Sequence, residues 1–109
     1  MTFGLKPETI NKIRDVFVRY DEIDEAVLYG SRAKGNPKTG SDIDLTLKGE
    51  RLNLKILNTV ECELDELLLP YSIDLSIHHQ IDNPDLLDHI NRIGKCFYKK
   101  PQNDNTSMG

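Results

Sequence analysis

A chain of 109 residues fits one domain, and 38% hydrophobic with 29% charged residues is the balance of a globular protein that buries a core without disulfide staples. The net charge of −4 argues against a protein whose main task is gripping nucleic acid, so no stable DNA binding is expected; a single nucleotide needs only local positive charge. No apolar run approaches the roughly 18–20 residues that span a bilayer, and MTFGLKPETINK lacks the basic start and apolar centre of a signal peptide. A cytoplasmic protein with no membrane partner is the expectation.

In chain order, residues 7–20 (PETINKIRDVFVRY) predict a helix. Pro7 suits its first position, Glu8 the positive end of its dipole, and Ile10, Ile13, Phe17 and Tyr20 recur on one face. Residues 24–29 predict a strand closed by Gly30, residues 31–34 a helical turn, and the Gly/Pro/Asn/Ser-rich residues 35–41 a loop. Residues 42–47 (DIDLTL) alternate, with Asp42, Asp44 and Thr46 on one side and Ile43, Leu45 and Leu47 on the other. A second helix is expected over 52–69, with Leu57, Val60, Leu64, Leu67 and Leu68 as its stripe and Pro70 as its end. Residues 72–77 (SIDLSI) alternate again, placing Asp74 on the polar side. A third helix spans 84–93, between Pro84 and Gly94, and Cys96 to Tyr98 form a last short strand. The order implies an α/β (α+β) domain over residues 1–100, a small mixed sheet with helices packed on one face. Residues 101–109 read as a disordered tail.

Asp42 and Asp44, two residues apart on one strand, leave the same face. If the strand of Asp74 pairs with theirs, a third carboxylate comes within roughly 5 Å. Three such groups repel unless a hard cation sits between them. Mg²⁺ takes one or two carboxylates plus water and phosphate oxygens, and two ions about 4 Å apart can bind both the attacking and leaving oxygens of a phosphoryl or nucleotidyl transfer. A solvated polar strand face is the plainer account of a lone Asp-x-Asp; the second aspartate-bearing strand and the loop upstream weigh against it. In that loop, Gly30 and Ser31 precede a helical turn, where backbone N–H groups bind anions, and Arg32, Lys34 and Lys38 add positive charge. A rival is the Asp-x-Asp-x-Thr nucleophile motif of haloacid-dehalogenase-like phosphatases, in which the first aspartate is phosphorylated. There the aspartates end a buried strand; here they begin one.

The compound pattern, Gly30-Ser31, ten residues, Asp42-Ile43-Asp44, then Ile73-Asp74-Leu75, resembles the DNA polymerase β-like nucleotidyltransferase superfamily. The wording GSRAKG…SDIDL resembles its minimal nucleotidyltransferase (MNT) branch, and the likeness covers about residues 7–100. The resemblance implies an enzyme that binds Mg²⁺, with two ions expected, and a nucleoside triphosphate, usually ATP. By that carry-over Asp42, Asp44 and Asp74 are catalytic carboxylates and metal ligands, with Asp74 a ligand or base. Gly30, Ser31, Arg32 and Ser41 are nucleotide-binding. Minimal members pair with a HEPN-domain toxin and transfer AMP to it, so the implied partner is a HEPN-domain protein. A non-catalytic antitoxin that neutralises its partner by contact is the alternative. Only about 35 residues follow Asp74, so the acceptor is expected on a partner chain or at the interface of a homo- or hetero-oligomer.

Cys62 and Cys96 have no metal-ligand spacing and are expected to be reduced. His78, His79 and His89 show no zinc pattern. A base near Asp74 is conceivable from the first two, but strand-end polarity is the simpler reading. Tyr29 reads as a packing residue or a base-stacking wall, with packing favoured.

Overall fold

A computed structural model describes residues 3–35 and 42–101. The elements are α1 (Pro7–Val18), β1 (Glu25–Tyr29), β2 (Ile43–Lys48), α2 (Leu54–Asp65), β3 (Ile73–Ile77), a 3₁₀ turn (His78–Gln80), α3 (Pro84–Ile93) and β4 (Lys95–Lys99). The expected order therefore holds, and so does the α+β class. Of the expected tail, all but Pro101 lies outside the described residues, as do Lys38 and Ser41 of the loop.

Alternation of apolar and polar residues builds one four-stranded sheet in the order β3-β2-β1-β4. β1 pairs antiparallel with β2 and β4, whereas β2 and β3 run parallel, joined through α2. Parallel neighbours need such a crossover, because a hairpin turn cannot return the chain in the same direction. On one face Ala26, Leu28, Ile43, Leu45, Leu47, Leu75 and Ile77 are buried in the main core with Phe17 and Phe97. α1 contributes Ile10, Ile13, Val16 and Phe17 to that core, and α2 contributes Leu57, Val60 and Leu64. The N-terminal Phe3 and Leu5 join it, which their position in the sequence did not announce.

α2 is shorter than the 52–69 expected. The Asn53 side chain accepts from the Ile56 N–H at 2.9 Å and starts the helix at Leu54. After Asp65 the chain tightens, with Leu67 N–H bonded to Leu64 O and Leu68 N–H to Asp65 O. Leu68 then takes a left-handed φ of 55° and stands 88% exposed, so it is not part of the buried stripe. Pro70 sits two residues on, where the residue before it avoids helix.

The expectation that the helices pack on one face fails for α3, which occupies the opposite face from α1 and α2 because Val27 and Tyr29 alternate out of the main core and give it a surface to cover. Val27, whose neighbours Ala26 and Leu28 point into the main core, faces the other way and packs on the end of α3. A Cβ on Gly94 would lie 2.7 Å from Val27 Cγ1, so the absence of a side chain lets α3 close on β1. Ile90 is buried there. The Asn83 side chain accepts from the Asp85 and Leu86 N–H groups and fixes where α3 begins. This placement brings α3 beside the carboxylate-bearing face. Among the described residues no helix is long and apolar enough to cross a membrane.

Candidate active site

The β2–β3 register sets Asp44 directly beside Asp74, and the β1–β2 register sets Tyr29 on the other side of Asp44. Tyr29, Asp44 and Asp74 thus form a row across three strands on the sheet face that α1 and α2 leave uncovered. Asp42 is exposed and immediately precedes β2; Asp44 is half-buried and Asp74 exposed. One step further along the strands Ser76 Oγ donates to Thr46 Oγ1 at 2.9 Å. Thr46 is fully buried, although its alternation pointed to the polar side. That hydroxyl pair floors the site with satisfied polar groups.

Burial pushes the Asp44 carboxyl above its ordinary pKa, and the charges of Asp74 and then Asp42 push it further; the His89 imidazole acts the other way. Asp44 therefore feels the charges of both Asp74 and Asp42. Burial also raises the Tyr29 phenol, opposed by its hydrogen bond with Ser76 and assisted by Asp74 and Asp44. Tyr29 is half-buried, and its ring meets His89 edge-on at 6.1 Å.

Gly30 closes β1 with φ at +80°, and a Cβ there would fall 2.5 Å from Asp44 Oδ2. Glycine is required on both counts: the backbone angle and the carboxylate seated against its Cα. Beyond it the chain makes one helical-type turn, with Lys34 N–H bonded to Gly30 O and Gly35 N–H to Arg32 O, both at 3.2 Å. Ser31 is exposed on this turn, next to the carboxylate row. The Gly30 N–H points elsewhere: it donates to His89 Nε2 at 3.1 Å. The backbone donor expected at Gly30 is thus already engaged, whereas Ser31 is exposed.

Arg32 lies beneath the turn. It is 3% exposed, donates from Nη1 to Phe3 O at 3.0 Å, and stacks over the Tyr71 ring at 5.0 Å. Its visible contacts tie the turn to the N-terminal segment and to the approach of β3. Ser41 lies outside the described residues.

His78 and His79 follow the end of β3, roughly 13 Å along the strand from Asp74 at about 3.3 Å per residue. With Lys48, Gly49 and Glu50 they line an open pocket of about 430 Å³ at that far end, away from the carboxylates. His89 is the histidine that reaches the site. Its only sequence signal was its place among Leu86, Ile90 and Ile93 on one face of α3. Cys62 and Cys96 are free and exposed.

Among the described residues no three His, Cys, Asp or Glu side chains are gathered to hold an ion on protein ligands alone. The donor chemistry still fits Mg²⁺, which takes one or two carboxylates and completes its shell with water and substrate phosphate. Asp44 and Asp74 side by side, with the charge of Asp42 felt at Asp44, supply that number of oxygens and a repulsion that a cation relieves.

Two outcomes follow from this geometry. Gly30→Ala should cost about 1–3 kcal/mol of stability in urea unfolding, through the left-handed φ and the collision with Asp44. An unchanged midpoint would contradict the close seat described. Asp44 binds its proton more readily in the folded chain than in the unfolded one, so protonation favours folding and that contribution is lost as pH rises through the carboxylate range. Metal-free Asp44→Asn should therefore melt a few degrees above the unmodified chain at neutral pH, the gap closing below about pH 4. Melting curves across pH check it, and a variant that melts lower at neutral pH contradicts it.

Comparison with known proteins adds to this geometry. No curated protein matches the sequence. The fold is similar to that in the crystal structure of a toxin–antitoxin complex with AMP-PNP (TM-score 0.68, 21% identity, 89% of this chain and 78% of that one). It is also similar to that in a tri-AMPylated Shewanella oneidensis HEPN toxin in complex with its MNT antitoxin (TM-score 0.65, 18% identity, 94% and 79%). A crystal structure of the toxin–antitoxin pair MntA-HepT matches at TM-score 0.65 and 18% identity, over 93% and 79%. At such identities these likenesses establish a shared fold. The profile of the family described as "Polymerase beta, Nucleotidyltransferase" matches residues 11–103, which take in the Gly30-Ser31 turn and all three aspartates. The chain therefore belongs to the polymerase beta nucleotidyltransferase family.

Proposed function

We propose that this nucleotidyltransferase moves AMP from MgATP to a hydroxyl on a HEPN-domain partner, acting as the antitoxin of a toxin–antitoxin pair of the MNT type in the cytoplasm. The observation that carries the reading is the in-register pair Asp44 and Asp74, with Gly30 of the turn seated against the Asp44 carboxylate. Two neighbours of the same fold support the choice of nucleotide and partner, one crystallised with AMP-PNP and one holding an AMPylated HEPN toxin with its MNT antitoxin.

In this reading Asp42, Asp44 and Asp74 hold Mg²⁺, which when bound offsets the triphosphate charge and orients the α-phosphate. Ser31 offers its hydroxyl and N–H to the phosphates, and Arg32 assists by holding the turn. The acceptor oxygen attacks the α-phosphorus. A new P–O bond forms, the bond to the β-phosphate bridging oxygen breaks, and pyrophosphate departs with the electron pair. The acceptor proton passes to Asp74, if that carboxylate serves as base rather than only as ligand, or to water. Pairing three carboxylates across two strands has a clear use in such in-line chemistry and none in a purely steric inhibitor.

The test mixes the protein, MgATP and the HEPN partner and reads intact mass. The partner should gain one or more AMP units, and replacing Asp42 and Asp44 together by Asn should lower the rate at least about 10³-fold, as expected when groups that stabilise the transferring phosphate are lost. No gain on a folded, bound partner overturns the protein acceptor. A double variant that still neutralises the partner fully assigns the effect to contact.

A further inference from the structure

Glycine at position 30 solves one problem and creates another. Any side chain there would strike Asp44 Oδ2, so the residue has none. The same lack of a Cβ leaves the peptide free to sample both signs of φ. A site that must hold the adjacent Ser31 toward a polyanion, and Asp44 against Gly30 Cα, needs something else to select the conformation. Within β1 that role falls to the interstrand ladder, but Gly30 lies just past it.

We propose that His89 is the positioning residue that fixes the Gly30 peptide and, through it, the Ser31 phosphate cradle and the seat of Asp44. His89 Nε2 accepts the Gly30 N–H at 3.1 Å, 59 residues away in sequence. The ring is itself held, half-buried and edge-on to Tyr29 at 6.1 Å and 81°. Its helix is pinned by buried Ile90 and by the close approach of Gly94 to Val27. α3 thus acts as a brace from the second face of the sheet, reaching the turn through this hydrogen bond. His89 acts through Gly30 and needs no contact with the nucleotide. The functional half of this inference rests on the nucleotide-binding role proposed above; the brace itself does not.

The length of the side chain supplies a discriminating test. Gln at 89 places its amide oxygen near the position of Nε2, whereas Asn reaches only as far as Nδ1. His89→Gln, His89→Asn and His89→Ala are compared in the full chain by hydrogen exchange at the Gly30 amide and by binding of AMP-PNP with Mg²⁺. His89→Gln should keep Gly30 protected and bind within about twofold of the unmodified protein, while the Asn and Ala variants lose protection and bind about fivefold more weakly, the scale of one neutral hydrogen bond. Melting temperatures identify any variant that fails to fold, and the Gln–Asn pair, alike in polarity, carries the comparison if Ala does. Equal protection in the Gln and Asn variants overturns the brace. Lost protection with unchanged binding overturns its functional role. If the unmodified protein binds no nucleotide, the proposed function falls while the exchange data still decide the brace.

Discussion

Asp44 and Asp74 stand side by side on neighbouring parallel strands, and the rest of the structure is arranged around holding them there. Their charges disfavour one another, and burial of Asp44 adds to the cost. The opposite face of the same strands answers it: Ile43, Leu45, Leu47, Leu75 and Ile77 are buried against α1 and α2. Each buried aliphatic side chain contributes about 1.5–3 kcal/mol from apolar burial, so a handful of them outweighs one repulsive pair. The parallel crossover through α2 is what makes Asp44 and Asp74 neighbours.

The remaining parts of the site follow from that pair. A carboxylate seated against β1's end leaves room there only for glycine, so Gly30 and the turn beginning at Ser31 are tied sterically to Asp44. Arg32 goes inward, to Phe3 O and Tyr71, and anchors the turn from below. Ser76 donates to Thr46 one step along the strands from the carboxylates, so both buried-side hydroxyls are paired. The repulsion that Asp44 feels from its carboxylate neighbours is what a bound cation would relieve under the function proposed.

Much of this was legible in the sequence because strand alternation has a period of two. The patterns DIDLTL and SIDLSI fixed which side chains share a face, and the paired register agrees. Pro84 and Gly94 bounded α3 correctly because terminal residues act locally. What escaped is what depends on distant parts of the chain. Arg32 reads as a charge for a phosphate, yet its contacts include a carbonyl and a ring brought by other segments. Leu68 fits a helical stripe, but the helix ends before it, and it stands in solvent. His89 carries no motif, and only the packing of α3 on the carboxylate-bearing face takes it to Gly30.

The proposed function requires one cation–triphosphate site at the start of β2, between the Gly30-Ser31 turn and the aspartates. Paramagnetic broadening of backbone amide resonances by Mn²⁺ with AMP-PNP tests it most directly. Ser31, Asp42, Asp44 and Asp74 should broaden first, while Lys48 and His78, at the other end of the same strands, stay sharp. Broadening that begins at Lys48 and His78, or spreads evenly over the acidic surface, would contradict it.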